Sequence, residues 1–362
     1  MNLFKCSLPR NIFSEKSREF ISYGDLKCNI FRYPTGIEAV KLENKNGYII
    51  MLPFKGQQIW DAVFNDRSLT MKSMFNEPRQ ADHFLYTYGA FLMHCGALSM
   101  GCPGPEDTHT LHGELPYANY DSARLVAGED SRGKYIGLSG EYEYNRAFSN
   151  NYIARPLTKL YEDSSVIEVN IEIENKSSYP MEYMYMTHVN FKPVDGGRIC
   201  QCLNWDSESL VIRETIPQHV RVAEEYVDFI KKLKIDPSIT KTLNSGDIYN
   251  PEIVFFINNP CRDKNGLTHF MQIHPDGSSD YISYDPEILD HASRWIVRTK
   301  DQEALGIALP ATADAEGYLA EKEKGNIRVL EGKERVEFTI NTGYLNKDDT
   351  EKMEADIKDI MQ

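Results

Sequence analysis

Between Ile167 and Glu174 the chain reads IEVNIEIE, so apolar residues at 167, 169, 171 and 173 alternate without exception with Glu168, Asn170, Glu172 and Glu174. A period of two puts all the apolar side chains on one face of an extended backbone, and a helix of the same sequence would scatter them. The segment therefore reads as a β-strand with one wet face. Asn175-Lys-Ser-Ser supplies turn chemistry, and the aromatic and β-branched run Met181 to Phe191 reads as the next strand, expected to pair antiparallel with the first.

Comparable short runs recur at Gly47 to Phe54, Phe84 to Leu92, Ile253 to Ile257, Trp295 to Val297 and Val336 to Ile340, separated by clusters of Gly, Pro, Asn and Asp. Helical spacing occurs at Glu224 to Lys234, where Tyr226, Ile230 and Leu233 share a face, and at Asp349 to Met361, where Met353, Ile357, Ile360 and Met361 do. Strands do not alternate with long helices, which disfavours a parallel α/β sheet. The pattern predicts an all-β protein of antiparallel sheets with a few short peripheral helices, built as one domain over residues 1–362.

Composition limits the function. With 40 basic against 54 acidic residues the formal net charge is −14, the wrong sign for neutralising nucleic-acid phosphates. No run approaches 18 apolar residues, and the opening MNLFKCSLPRNIF lacks the apolar stretch of a secretory signal, so the expectation is a cytoplasmic protein without membrane contact. Cys6, Cys28, Cys95, Cys102, Cys200, Cys202 and Cys261 form an odd set without CxxC spacing, in keeping with reduced thiols. Cys200 and Cys202 read as small core hydrophobes.

The segment His94 to Tyr120, HCGALSMGCPGPEDTHTLHGELPYANY, concentrates histidines, acids and glycines between strand-like runs. Polar loops on a β scaffold commonly carry function. His109, His112 and Glu114 have the donor types of a metal site, but His109 and His112 are three apart in a Pro/Gly-rich context and no second ligand cluster completes them. The same loop suits recognition of a polyol, which needs fixed donors and acceptors beside an apolar platform. In the strand Met181 to Phe191, His188 and Asn190 fall on the face of Met184 and Met186, a polar pair emerging from an apolar stripe. GxSxG, P-loop and GxGxxG signatures are absent from the sequence, which leaves chemistry without a cofactor.

THTLHGELPYANY and YMTHVNF, with MLPFKGQQIWDAVF, GAFLMHCGALSMGCPGPED and the late RWIV…ALGIALPATADAEGY segment, resemble the aldose 1-epimerase (galactose mutarotase-like) superfamily, particularly its DUF4432 branch. The resemblance extends along most of the chain. It implies an antiparallel β-supersandwich with a carbohydrate-binding cleft across one face, and a mutarotase that interconverts sugar anomers by acid/base ring opening, with neither metal nor cofactor. In such enzymes a carboxylate takes the proton of the anomeric hydroxyl while a histidine protonates the ring oxygen.

By motif match His188 takes the acid role and His112 orients the sugar, while Lys55, Arg79, Glu114 and Asn190 are substrate contacts. The family's base is a glutamate in a late Gly-x-Glu-Pro-like segment. Here Gly306-Ile-Ala-Leu-Pro310 puts Ala308 or Leu309 at that place, and neither can abstract a proton. Glu316, with Asp314 nearby, is the expected substitute. If no carboxylate reaches the cleft, the alternative is a carbohydrate-binding or sensing protein that has lost its base.

Overall fold

The computed structural model describes residues 3–215, 222, 224–244 and 249–362. Two large sheets build the fold, one of ten strands and one of thirteen among the described residues, and their named strand pairs are antiparallel throughout. The strand Val166–Asn175 shows why. Ile167, Val169, Ile171 and Ile173 are at most 2% exposed and face the neighbouring sheet, while Glu168, Asn170 and Glu172 keep partial contact with water. Each fully buried aliphatic side chain contributes roughly 1.5–3 kcal/mol, so reversing the faces of one such strand would remove several kcal/mol.

This strand lies between Asn151–Tyr161 and Arg335–Leu345 in the ten-stranded sheet. It does not pair with Met181–Val189, contrary to the expectation from the intervening turn. Met181–Val189 instead enters the thirteen-stranded sheet between Leu92–Ala97 and Glu303–Ala311. The reason lies in its two apolar faces. Tyr183, Tyr185 and Val189 join the main core, whereas Met184 and Met186 pack on the other side. A strand needing cover on both faces does not fit a sheet that leaves one face to water.

The thirteen-stranded sheet runs, through its middle, Ile253–Ile257, His291–Arg298, Glu303–Ala311, Met181–Val189, Leu92–Ala97 and Ile59–Phe64. Residues 71–91 lie against this region without forming a strand. The run Phe84 to Leu92 is a 3-10 turn, Phe84–Tyr86, followed by irregular chain that reaches the strand only at Leu92. Period-two hydrophobicity is weak there, and Phe84 and Tyr88 are buried in a cluster with Trp60, Met71 and Met93.

The helices Glu224–Ile235 and Lys347–Ile360 form where helical spacing predicts them and bury the expected Tyr226, Ile230, Leu233 and Ile357. A third helix, Tyr318–Lys324, was not legible because it spans about two turns; it closes on Gly325 in the left-handed conformation. No helix among the described residues is long and apolar enough to cross a membrane.

Candidate functional site

On the outer side of the thirteen-stranded sheet is a cavity of about 470 Å³, and both His112 and His188 line it. His188 arrives from the strand Met181–Val189 by simple alternation, two residues beyond Met186, which also lines the cavity. His112 arrives by a different device. Its backbone is left-handed at φ 60°, held by hydrogen bonds from its N–H to the Gly101 carbonyl and from the Gly96 N–H to its own carbonyl, both 3.0 Å. The next residue must be glycine, because a Cβ on Gly113 would stand 2.2 Å from the Ser99 carbonyl oxygen. Left-handed backbone at a non-glycine residue costs about 1–2 kcal/mol, and here the two backbone hydrogen bonds to Gly96 and Gly101 hold it.

The two imidazole centroids are 5.2 Å apart with ring planes at 84°. Trp295 lies edge-on to His188 at 5.4 Å, and Phe84 packs on His112 at 4.8 Å. Nδ1 of each histidine is buried with no hydrogen-bond partner. Burial pushes His188 down to about 4, with Asn190 beside it pulling weakly the other way, and burial and the neighbouring His188 hold His112 well below the usual range. Both rings are therefore neutral at neutral pH.

A carboxylate faces the same cavity. Glu252 immediately precedes the strand Ile253–Ile257, and its side chain is held on both oxygens: Trp295 donates its indole N–H to Oε2 at 2.7 Å, and Arg213 pairs with Oε1. Tyr226 donates its hydroxyl to the Glu252 backbone carbonyl. Leu309, one of the two residues that the resemblance sets against the expected glutamate, also lines the cavity, two strands across the sheet from the strand that Glu252 precedes. Sequence reasoning missed Glu252, Arg213 and Trp295. Nothing in Asn-Pro-Glu-Ile-Val sets Glu252 apart from an acid at any strand entry.

The other residues singled out in the sequence lie elsewhere. Glu316 is paired with Lys324 at 2.9 Å, and the same ammonium holds Asp314 at 3.1 Å and Glu321 at 2.9 Å. Lys55 is buried and donates to the Ala81 carbonyl at 2.7 Å, and Arg79 is exposed, with its guanidinium 6.0 Å from the Phe75 ring. Glu114 accepts from the N–H groups of Ala97 and Leu98 and from the Tyr152 hydroxyl at 3.1, 3.0 and 2.7 Å, which fixes the loop that carries His112. Asn190 accepts from the Tyr88 hydroxyl at 3.0 Å and donates to the Ala90 carbonyl at 2.8 Å.

His109, His112 and Glu114 do not converge on a common point. His109 accepts from the Tyr318 N–H and Glu114 faces Tyr152, and among the described residues no three His, Cys, Asp or Glu side chains are grouped to hold a metal.

Residues 34–343 match the model of a family described as a domain of unknown function, DUF4432. No curated protein matches the chain. Among solved structures, a candidate aldose 1-epimerase of Klebsiella pneumoniae is similar over 100% of this chain and 96% of its own, with a TM-score of 0.81 at 15% identity. A galactose mutarotase-like protein of Clostridium acetobutylicum is similar over 90% of this chain and 100% of its own, with a TM-score of 0.59 at 11% identity. A galactose mutarotase-like protein of Lactobacillus casei covers 84% and 99% with a TM-score of 0.53 at 12% identity. Such identities carry the fold alone, a galactose mutarotase-like supersandwich, while the family model spans most of the sequence, and the chain belongs to the DUF4432 family.

Proposed function

We propose that the protein is a cofactor-independent aldose 1-epimerase acting on a free reducing sugar or sugar derivative, with His188 as general acid, His112 as the group that orients the sugar, and Glu252 as general base. One observation carries this reading: two facing imidazoles and a carboxylate open into a single cavity. Ring opening of a hemiacetal needs a base at the anomeric hydroxyl and an acid at the ring oxygen, both within hydrogen-bond reach.

The proton accounting is closed. Glu252 takes the O1 proton as the C1–O5 bond breaks and C1=O1 forms, and protonated His188 gives its proton to O5. Rotation about C1–C2 presents the other face of the aldehyde. The reverse transfers then reclose the ring and restore both groups, so no net proton is gained or lost. Trp295 and Arg213, each on one oxygen of Glu252, orient the carboxylate. Because burial holds His188 at about 4, its acid form is a minor species at neutral pH, and turnover carries that fraction.

Glu316 remains a second carboxylate near the loop that lines the cavity through Ala315; both acids are ion-paired, but Glu252 lines the cavity and Glu316 does not, which favours Glu252 as base. The test is anomer exchange by NMR saturation transfer over a panel of aldoses, with chelator present. Acceleration for one sugar that Glu252→Gln abolishes supports the assignment. The sensing reading draws on Leu309 at the family's glutamate place, and it gains if sugars bind without acceleration.

A further inference from the structure

The chemical groups of the cavity, His112, His188, Glu252 and Arg213, are surrounded by a wall that is mainly apolar. Much of that wall comes from residues 71–88, which turn Met71, Met74, Phe75 and Leu85 toward the cavity. Polar and charged residues of the same stretch go elsewhere: Ser73 donates to the Tyr88 carbonyl, Lys72 to the Lys300 carbonyl, and Arg79 stays at the surface. Lys55, the other cation near this segment, is spent on Ala81. Met74 and Leu85 are 62% and 54% exposed, which leaves large apolar side chains in water at the edge of the cavity.

A hexose with free hydroxyls on C2, C3, C4 and C6 besides the anomeric one fits this lining poorly. Each hydroxyl moved out of water against Met71, Phe75 or Leu85 without a partner costs about 1–3 kcal/mol. An apolar group in the same place gains from burial and also covers the exposed Met74 and Leu85. Resting on the reading of the site given above, we infer that the substrate is a reducing sugar whose non-reacting end is apolar, as in a deoxy sugar or a sugar carrying an O-alkyl substituent. The hemiacetal seats at His112, His188 and Glu252, and the apolar end seats against the wall formed by residues 71–88.

The test compares matched ligands by calorimetry: common aldohexoses, their 6-deoxy counterparts, and their 6-O-methyl and 6-O-butyl ethers. For at least one ring configuration the 6-O-butyl ether should bind at least tenfold more tightly than its parent, with each buried methylene worth about fourfold. Its binding should show a more negative heat-capacity change. Met74→Ser and Leu85→Ser, both at exposed positions where folding is not at risk, should bring the ether-to-parent ratio toward one. Parents that bind as tightly as their ethers, or no binding by any ether, overturn the inference. Because the measurement is of binding, ethers that bind tightly without accelerated anomer exchange would sink the epimerase assignment and leave this one standing. Parents and ethers that bind equally and are accelerated equally would do the reverse.

Discussion

His112 and His188 meet across 5.2 Å with their rings nearly perpendicular, one delivered by a left-handed loop residue and the other by the regular alternation of a strand. Neither has a charged partner on its Nδ1. The pair is held by shape, through Phe84 on one ring and Trp295 on the other.

Replacing His188 by Gln keeps a hydrogen-bonding side chain of similar reach and removes the transferable proton. Anomer exchange should fall by roughly 10²–10⁴. A folded variant that retains normal exchange would take His188 out of the reaction.

Glu252→Gln and Glu316→Gln separate the two carboxylates. The first should lose at least about 10² in kcat, because an amide accepts the Trp295 hydrogen bond but cannot accept the sugar's proton. The second should stay within a few-fold of the parent, since Glu316 pairs with Lys324 outside the cavity lining. The opposite ranking of the two variants would transfer the base role to Glu316.

Acid form and rate are linked at His188. With its pKa held at about 4 by burial, the protonated fraction rises about tenfold for each pH unit between 7 and 5, and kcat/KM should rise with it. A profile that is flat over this window, corrected for the uncatalysed exchange, would mean that His188 does not act as an acid in the free enzyme.

Stability should move in the opposite direction. His94 and His188 are both buried with pKa values near 4 in the fold, against about 6.5 in the unfolded chain. Above pH 6.5 both states leave them neutral and the full stability is present. As pH falls from 6.5 toward 4 the unfolded chain binds protons that the fold refuses, and stability drops by about 1.4 kcal/mol per pH unit for each histidine. Denaturant titrations at pH 7, 6 and 5 measure this slope, in a range where most carboxylates have not begun to titrate. His94→Gln should flatten it, and an unchanged slope in that variant would assign the loss to other groups.

Some of this organisation is written locally and some is not. The alternation in Val166–Asn175 and the helical spacing around Tyr226 and Ile357 depend on near neighbours, so a window of ten residues suffices to read them. His188 and Asn190 could be put on one face for the same reason. The partner of Met181–Val189 could not be read from the turn, because pairing there is decided by which sheet can cover two apolar faces. Phe84 to Leu92 has the composition of a strand, but Phe84 and Tyr88 turn onto the cavity. Glu252 was invisible as a site residue: its neighbours in the chain look like any strand entry, and only the sheet brings it to Trp295, 43 residues later.

That spacing bears on how the protein acquires its site. His112, His188, Glu252 and Trp295 come from widely separated parts of the chain and meet only through the pairing of non-local strands. Loop closure must be completed before such contacts stabilise anything, so folds of this kind form slowly, and a binding pocket assembled this way comes together late. A fragment that ends before residue 252 lacks a carboxylate that faces the two histidines, and one that begins after residue 188 lacks both imidazoles. Ligand binding can therefore serve as a reporter of completed folding, silent in every partially built sandwich.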